Sequence, residues 1–153
     1  MRQFVLGILA IIVAGISWTA CTQNNGHIGH LFGSWTLMEM TCDGSTVPLP
    51  EGATGATVSF QGTGAFFQLL YGPDYSENST CTWTRLDDSV VFDFNHTIGD
   101  SEPGIGHLAP PSWLGFSALT ETIYITELNG SHFYFGRTGK DGHTYTYKFN
   151  RTW

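Results

Sequence analysis

The sequence predicts an all-β fold: an eight-stranded antiparallel up-and-down barrel with one long capping loop. Three observations predict it. Runs rich in Val, Ile, Thr, Phe, Tyr and Trp recur along the chain, with turn signals between them. Several runs alternate apolar and polar residues, the mark of a strand with one face on a core and one in water. The connections are short at one end of the meander and long at the other.

Strands are expected at 33–42, 56–61, 65–71, 80–86, 89–95, 122–128, 132–136 and 144–152. In the fifth, Val90, Phe92 and Phe94 share a face opposite Val91 and Asp93. In the eighth, Tyr145, Tyr147 and Phe149 oppose Thr144, Thr146 and Lys148. The first carries adjacent apolar residues, Leu37 and Met38, which predicts a bulge near Glu39. Joins at one end are Gly62-Thr63-Gly64, Asp87-Asp88 and Asn129-Gly130, all tight-turn signatures. Those at the other end span 43–55, 72–79, 96–121 and 138–143, and most of them are long. The outline is a cup with a decorated mouth.

Eight antiparallel strands are enough to close a sheet around one small ligand, and closure removes exposed edges. Phe66, Leu70, Phe92, Phe94 and Tyr147 are the side chains expected on the axis. If they fill it with no cavity, the ligand-carrier expectation fails. Trp35 and Arg151 both fall at the short-turn end, on strands that become neighbours only in a closed barrel. A guanidinium stacked on an indole there contributes about 0.5–2 kcal/mol.

Residues 1–20 stand apart from the fold. Met1-Arg2-Gln3 is short and positive, 4–16 is an almost unbroken apolar run, and small polar residues follow, which reads as a secretory signal peptide. The exit, Trp18-Thr19-Ala20-Cys21, resembles a bacterial lipobox, in which the residue after the cleavage carries lipid. That resemblance implies lipidation of Cys21 and a membrane partner reached through the anchor. Residues 22–29 are polar and rich in Gly and Asn, as a tether would be. The expected organisation is therefore a signal peptide at 1–20, a lipidated tether at 21–30 and the barrel domain at 31–153.

With Cys21 lipidated, Cys42 and Cys81 remain as a pair. They form either a disulfide or two separate buried thiols. A bridge would close a loop of about 40 residues and contribute about 4 kcal/mol. The formal net charge of −7, with only six Lys and Arg residues, argues against nucleic acid as a partner. It also argues against charge-driven binding to anionic lipid headgroups.

A Gly-x-Trp on the first strand with an Arg late on the last resembles the lipocalin and calycin arrangement, where Trp and Arg plug the barrel base. Gly33, Trp35 and Arg151 carry it here. The layout is also similar to small lipocalin-like lipoproteins of Bacteroides-type bacteria. The matching features are Cys21, the tether, Gly33-Ser34-Trp35, Pro110-Pro111-Ser112-Trp113-Leu114-Gly115-Phe116 and Trp153. No Thr-Asp-Tyr motif precedes the seventh strand, so the resemblance is to the broader barrel superfamily. It implies a structural plug at Gly33, Trp35 and Arg151, and an outer membrane lipoprotein of the bacterial cell envelope. No acidic run resembling a surface-export signal follows Cys21, which points to the periplasmic face.

Function is expected at the mouth. In the 96–121 loop, Trp113 and Phe116 either complete the core or form a lid over an apolar ligand or a platform for a sugar. With Tyr71 and Tyr75 they are the candidate ligand-binding residues. No histidine pair has a zinc spacing with a nearby Cys, and the acidic neighbours of His107 read as solvated loop. No metal or cofactor is expected. No nucleophile elbow, His-Glu-x-x-His or phosphate-binding loop occurs, so no enzyme is expected either. The leading expectation is a lipid-anchored protein holding a small apolar or amphipathic ligand in its barrel. The alternative is a non-enzymatic interaction module with a filled barrel, contacting protein or glycan through its long loops.

Overall fold

The computed structural model describes residues 29–96 and 102–152. The signal peptide, Cys21, most of the tether and Trp153 lie outside the described residues. The strands are β1 (Gly33–Cys42), β2 (Ser45–Thr46), β3 (Gly55–Gln61), β4 (Gly64–Leu70), β5 (Ser76–Leu86), β6 (Ser89–Asp93), β7 (Thr120–Leu128), β8 (His132–Thr138) and β9 (Thr144–Arg151).

Every strand needs partners for its backbone N–H and C=O groups on both sides. β1 finds them on β3, from Gly33↔Phe60 to Thr36↔Thr57, and on β9, from Trp35↔Arg151 to Cys42↔Tyr145. The other strands pair antiparallel with their chain neighbours, so the β1–β9 ladder closes the barrel. The short β2 was not expected. It lies within the 43–55 join and folds back on the mouth end of β1, Thr41 opposite Thr46. The expected bulge is present, with the β1–β9 register shifting between Leu37 and Glu39. Met38 is expelled to 61% exposure there, and Met40 is returned to the core.

Two expectations need correction. β5 begins at Ser76, because β4 pairs with it from Leu70↔Ser76 to Gly64↔Thr82. The polar stretch read as loop is therefore strand, and the join shrinks to a tight turn in which the Tyr71 N–H donates to the Tyr75 carbonyl at 3.0 Å. The second correction concerns the axis. Phe66 is 39% exposed on the outer wall and Leu70 is half-buried, while Phe67 and Leu69 point inward. With the doublets Phe66-Phe67 and Leu69-Leu70, alternation alone cannot choose a face. The register chooses: Ala65 sits opposite Phe60 and Cys81, which fixes the parity of the whole strand.

Cys42 and Cys81 are free thiols at separate places in the barrel. Cys81 pairs with Ala65, Ala65 with Phe60, and Phe60 with Gly33 at the closed end of β1. Cys42 ends β1 at the mouth, roughly 30 Å along the strand from Gly33. A disulfide spans less than roughly 7 Å between Cα atoms.

The axis is filled with rings. Phe92 contacts Phe67 at 5.1 Å and Phe60 at 6.0 Å between centroids, and Phe135 stacks on Tyr147 at 4.6 Å and on Phe149 at 5.7 Å. Phe92, Phe94 and Tyr147 face inward as expected.

Trp35 and Arg151 meet at the closed end. Trp35 is buried, and its indole N–H donates to the Leu31 carbonyl at 2.8 Å. The Arg151 guanidinium lies 4.3 Å from the Trp35 ring centroid and donates to the Phe32 carbonyl at 2.9 Å and to the His30 carbonyl. Gly33 has φ 125°, a conformation that side-chain-bearing residues rarely adopt, which explains the glycine of Gly-x-Trp. Trp35→Ala should lower stability by about 3–5 kcal/mol in urea unfolding. A loss below about 1 kcal/mol would show that the plug is dispensable.

Candidate functional site

The long loop leaves β6 through Phe94, whose N–H donates to the Leu119 carbonyl at 2.7 Å and pinches the loop at its base. Two single-turn 3₁₀ helices follow, Gly106–Leu108 and Ser112–Leu114, separated by Pro110 and Pro111. Proline favours extended backbone in the residue before it, which keeps the two turns apart.

The second half of the loop plugs the mouth. Phe116 is 2% exposed, with its ring 6.0 Å from Phe67 and Phe92 and 6.4 Å from Tyr147. The Tyr147 hydroxyl donates to the Leu114 carbonyl. Arg137 lies between the rings of Phe116 at 5.0 Å and Tyr145 at 4.9 Å, and donates to the Gly115 carbonyl. Its guanidinium also lies 3.9 Å from the Glu121 carboxylate, whose other oxygen accepts the Ser117 and Ala118 N–H groups at 2.8 Å each. Both charged side chains are buried, so losing either would strand a charge in the core. Gly115 has φ 70°, and a Cβ there would meet Tyr145 at 3.4 Å and Arg137 at 3.5 Å. The loop is therefore clamped, and Phe116 belongs to the core. This decides between the two fates open to Phe116 in the sequence.

The turn at Gly106–Leu108 lies along the outer wall of β5, where the Thr80 hydroxyl donates to the His107 carbonyl at 3.3 Å. Beneath it runs a groove of about 330 Å³ lined mainly by carbon. Phe66 and Leu108 provide apolar walls, with Thr82, His96 and His107 also lining it. A smaller, more polar hollow of about 230 Å³ lies further along β5 and includes Glu77, Ser79 and Trp113. Tyr71 donates to Glu77 at 3.1 Å and lies 5.4 Å from Tyr75, which is 60% exposed. Three of the predicted ligand residues, Tyr71, Tyr75 and Trp113, thus gather around Glu77, and Phe116 does not join them.

A third cluster sits on the mouth rim. Cys42, Asp43 and His143 bring potential ligand atoms within 4.8 Å of one another. His143 Nδ1 is 2.6 Å from the Asp43 carboxylate, and the Thr144 N–H donates to its other oxygen at 2.9 Å. The Thr144 N–H and His143 both hold the Asp43 carboxyl below its usual range, and Asp43 in turn raises His143. Asp141 is lowered by the His143 backbone N–H and by Tyr145. Burial pushes the Cys81 thiol up to about 12.

No protein-family model matches the sequence, and no curated protein matches it. Among solved structures, the chain is similar to a lipocalin-like protein from Bacteroides uniformis. That match has 12% identity and a TM-score of 0.56, covering 80% of this chain and 99% of that one. It is also similar to an uncharacterized protein from Bacteroides eggerthii, with 14% identity and a TM-score of 0.56, covering 79% and 98% of the two chains. The fold is lipocalin-like.

Cys81 should resist alkylation in the native state and react only on unfolding, whereas the half-buried Cys42 should react first; peptide mapping by mass spectrometry checks this. The rim pair has opposite linkage at its two ends. Asp43, lowered from 3.8, contributes stability above that pH and loses it as pH falls through the folded value. His143, raised from 6.5, contributes below 6.5 and loses it as pH rises through the folded value. An NMR titration should place the His143 midpoint above 6.5, returning towards it in Asp43→Asn.

Proposed function

We propose that this chain is a non-enzymatic binding protein of the bacterial envelope that takes a small apolar or amphipathic molecule on the outer wall of its barrel. The observation that carries this reading is the Phe66 groove beside a barrel axis already packed with rings. With rings packed along the axis, the wall is a better candidate for a ligand than the interior expected from the sequence. At about 330 Å³ the groove falls within the size of small-molecule sites, about 300–1,000 Å³. An apolar body would lie against Phe66 and Leu108, with a polar end reaching His96, His107 or Thr82.

Lipid on Cys21 would hold the protein at the outer membrane, facing the periplasm. The signal-like segment and the lipobox-like exit support this reading. β1 also starts at the plugged end, so a short tether would leave the mouth and its loop pointing away from the bilayer. A second reading rests on the exposed Tyr75 beside Tyr71: contact with a glycan or protein at the mouth.

Native mass spectrometry of the purified protein should reveal a co-purifying small molecule. A fluorescent acyl-chain probe should bind at one saturable site, with affinity reduced about tenfold by Phe66→Ser and unchanged by Tyr75→Ala. Equal binding by wild type and Phe66→Ser would overturn the groove as the site. Radiolabelled palmitate should enter the wild-type protein and be absent from Cys21→Ser; label retained in the variant would refute the anchor.

A further inference from the structure

Cys42 and Asp43 are adjacent at the end of β1, where strict alternation would send their side chains to opposite faces. Asp43 escapes alternation because its backbone is left-handed, with φ 49°. Its N–H donates to the Thr144 carbonyl at 2.8 Å, and its carboxylate accepts the Thr144 N–H in return. This exchange extends the β1–β9 ladder one step past Cys42↔Tyr145 and sets Asp43 beside His143.

His143 is held from its own side as well. Its N–H donates to Asp141 at 3.0 Å, and its carbonyl accepts the Gly139 N–H at 2.8 Å. The second Asp141 oxygen accepts the Tyr145 hydroxyl at 2.8 Å. A sulfur, a carboxylate oxygen and an imidazole nitrogen therefore converge within 4.8 Å at an exposed rim, on backbone already fixed by the barrel seam.

We propose that Cys42, Asp43 and His143 form a three-ligand site for a divalent zinc ion, with water in the fourth position. The donor set is the mixed S, O and N that zinc accepts, at metal–ligand distances of about 2.0–2.3 Å. Tetrahedral coordination at those lengths needs donors about 3.2–3.7 Å apart, so side-chain rotation of about 1 Å completes the geometry. A thiolate, a carboxylate and a neutral imidazole also balance the double positive charge.

Binding forms the Zn–S, Zn–O and Zn–N bonds and breaks the hydrogen bond between His143 and Asp43. The Cys42 thiol proton passes to solvent, as does the imidazolium proton when His143 is charged. Asp43, Asp141 and Cys42 are the ionisable groups facing His143, and the two carboxylates favour its charged form. Zinc must displace that proton, so affinity rises with pH. Asp141 orients both His143 and Tyr145 without touching the metal, the role of an outer-shell carboxylate.

The test is calorimetric titration of the reduced full-length protein with zinc ion alone, with cobalt ion as a spectroscopic stand-in. One zinc per chain is expected, together with a thiolate-to-cobalt charge-transfer band and a higher melting temperature with zinc. Cys42→Ser, Asp43→Asn and His143→Asn should each weaken binding about tenfold or more and abolish the melting shift. Cys42→Ser should in addition remove the charge-transfer band. His132→Asn should change none of these. Near-UV circular dichroism confirms that each variant is folded. An absence of binding heat in the wild type overturns the proposal, and so does undiminished binding in folded Cys42→Ser or His143→Asn.

Discussion

The β1–β9 ladder is the constraint on which the rest of the molecule depends. Without it the sheet is an open meander with two long edges, and Trp35 has no Arg151 to stack on. With it, residues from the two ends of the chain become neighbours, and both ends of the barrel acquire specific chemistry. At the closed end the ladder places a cation on an indole. At the mouth it brings a histidine against an aspartate a hundred positions away. One register sets both, and the bulge at Met38 keeps them compatible by returning Met40 and Cys42 to the inward face.

Filling the barrel has a functional cost and a structural benefit. The interlocked phenylalanines remove a large apolar area from water and leave little of the axis free of side chains. The long loop serves both ends of that arrangement. Its second half closes the mouth through Phe116 and the buried Arg137–Glu121 pair, and the turn carrying His107 and Leu108 borders the groove over Phe66. The stretch from Leu114 to Ala118 is held by Tyr147, Arg137 and Glu121, and fixed surfaces bind with less ordering cost than mobile ones.

Much of this was legible in the residues, and the reasons for the exceptions are physical. β9 could be read because Tyr145, Tyr147 and Phe149 alternate with Thr144, Thr146 and Lys148. The faces of β4 could not, because its apolar residues come in doublets and only pairing with β3 and β5 breaks the tie. The start of β5 was hidden by Ser76, Glu77, Asn78 and Ser79, whose side chains favour loops and whose backbone is recruited by the neighbouring strand. Trp113 and Phe116 announced themselves as too apolar for a free loop, but their fates rest on a partner the loop does not contain. The signal for that partner was available: Arg137 follows Phe133 and Phe135 on the same inward face, and an inward arginine requires something to satisfy it. The rim cluster carried no local signal, since Asp43 and His143 meet only through closure.

The clasp of Arg151 on the carbonyls of His30 and Phe32 has a mechanical consequence. Tension arriving from residues before His30 enters the barrel at the start of β1, along the axis of that strand. Load in that direction shears the ladders to β3 and β9 together instead of peeling them one bond at a time. The aromatic–guanidinium plug is the point through which the force passes first. Resistance to pulling would then be governed by the rate at which this seam opens, a property separate from equilibrium stability.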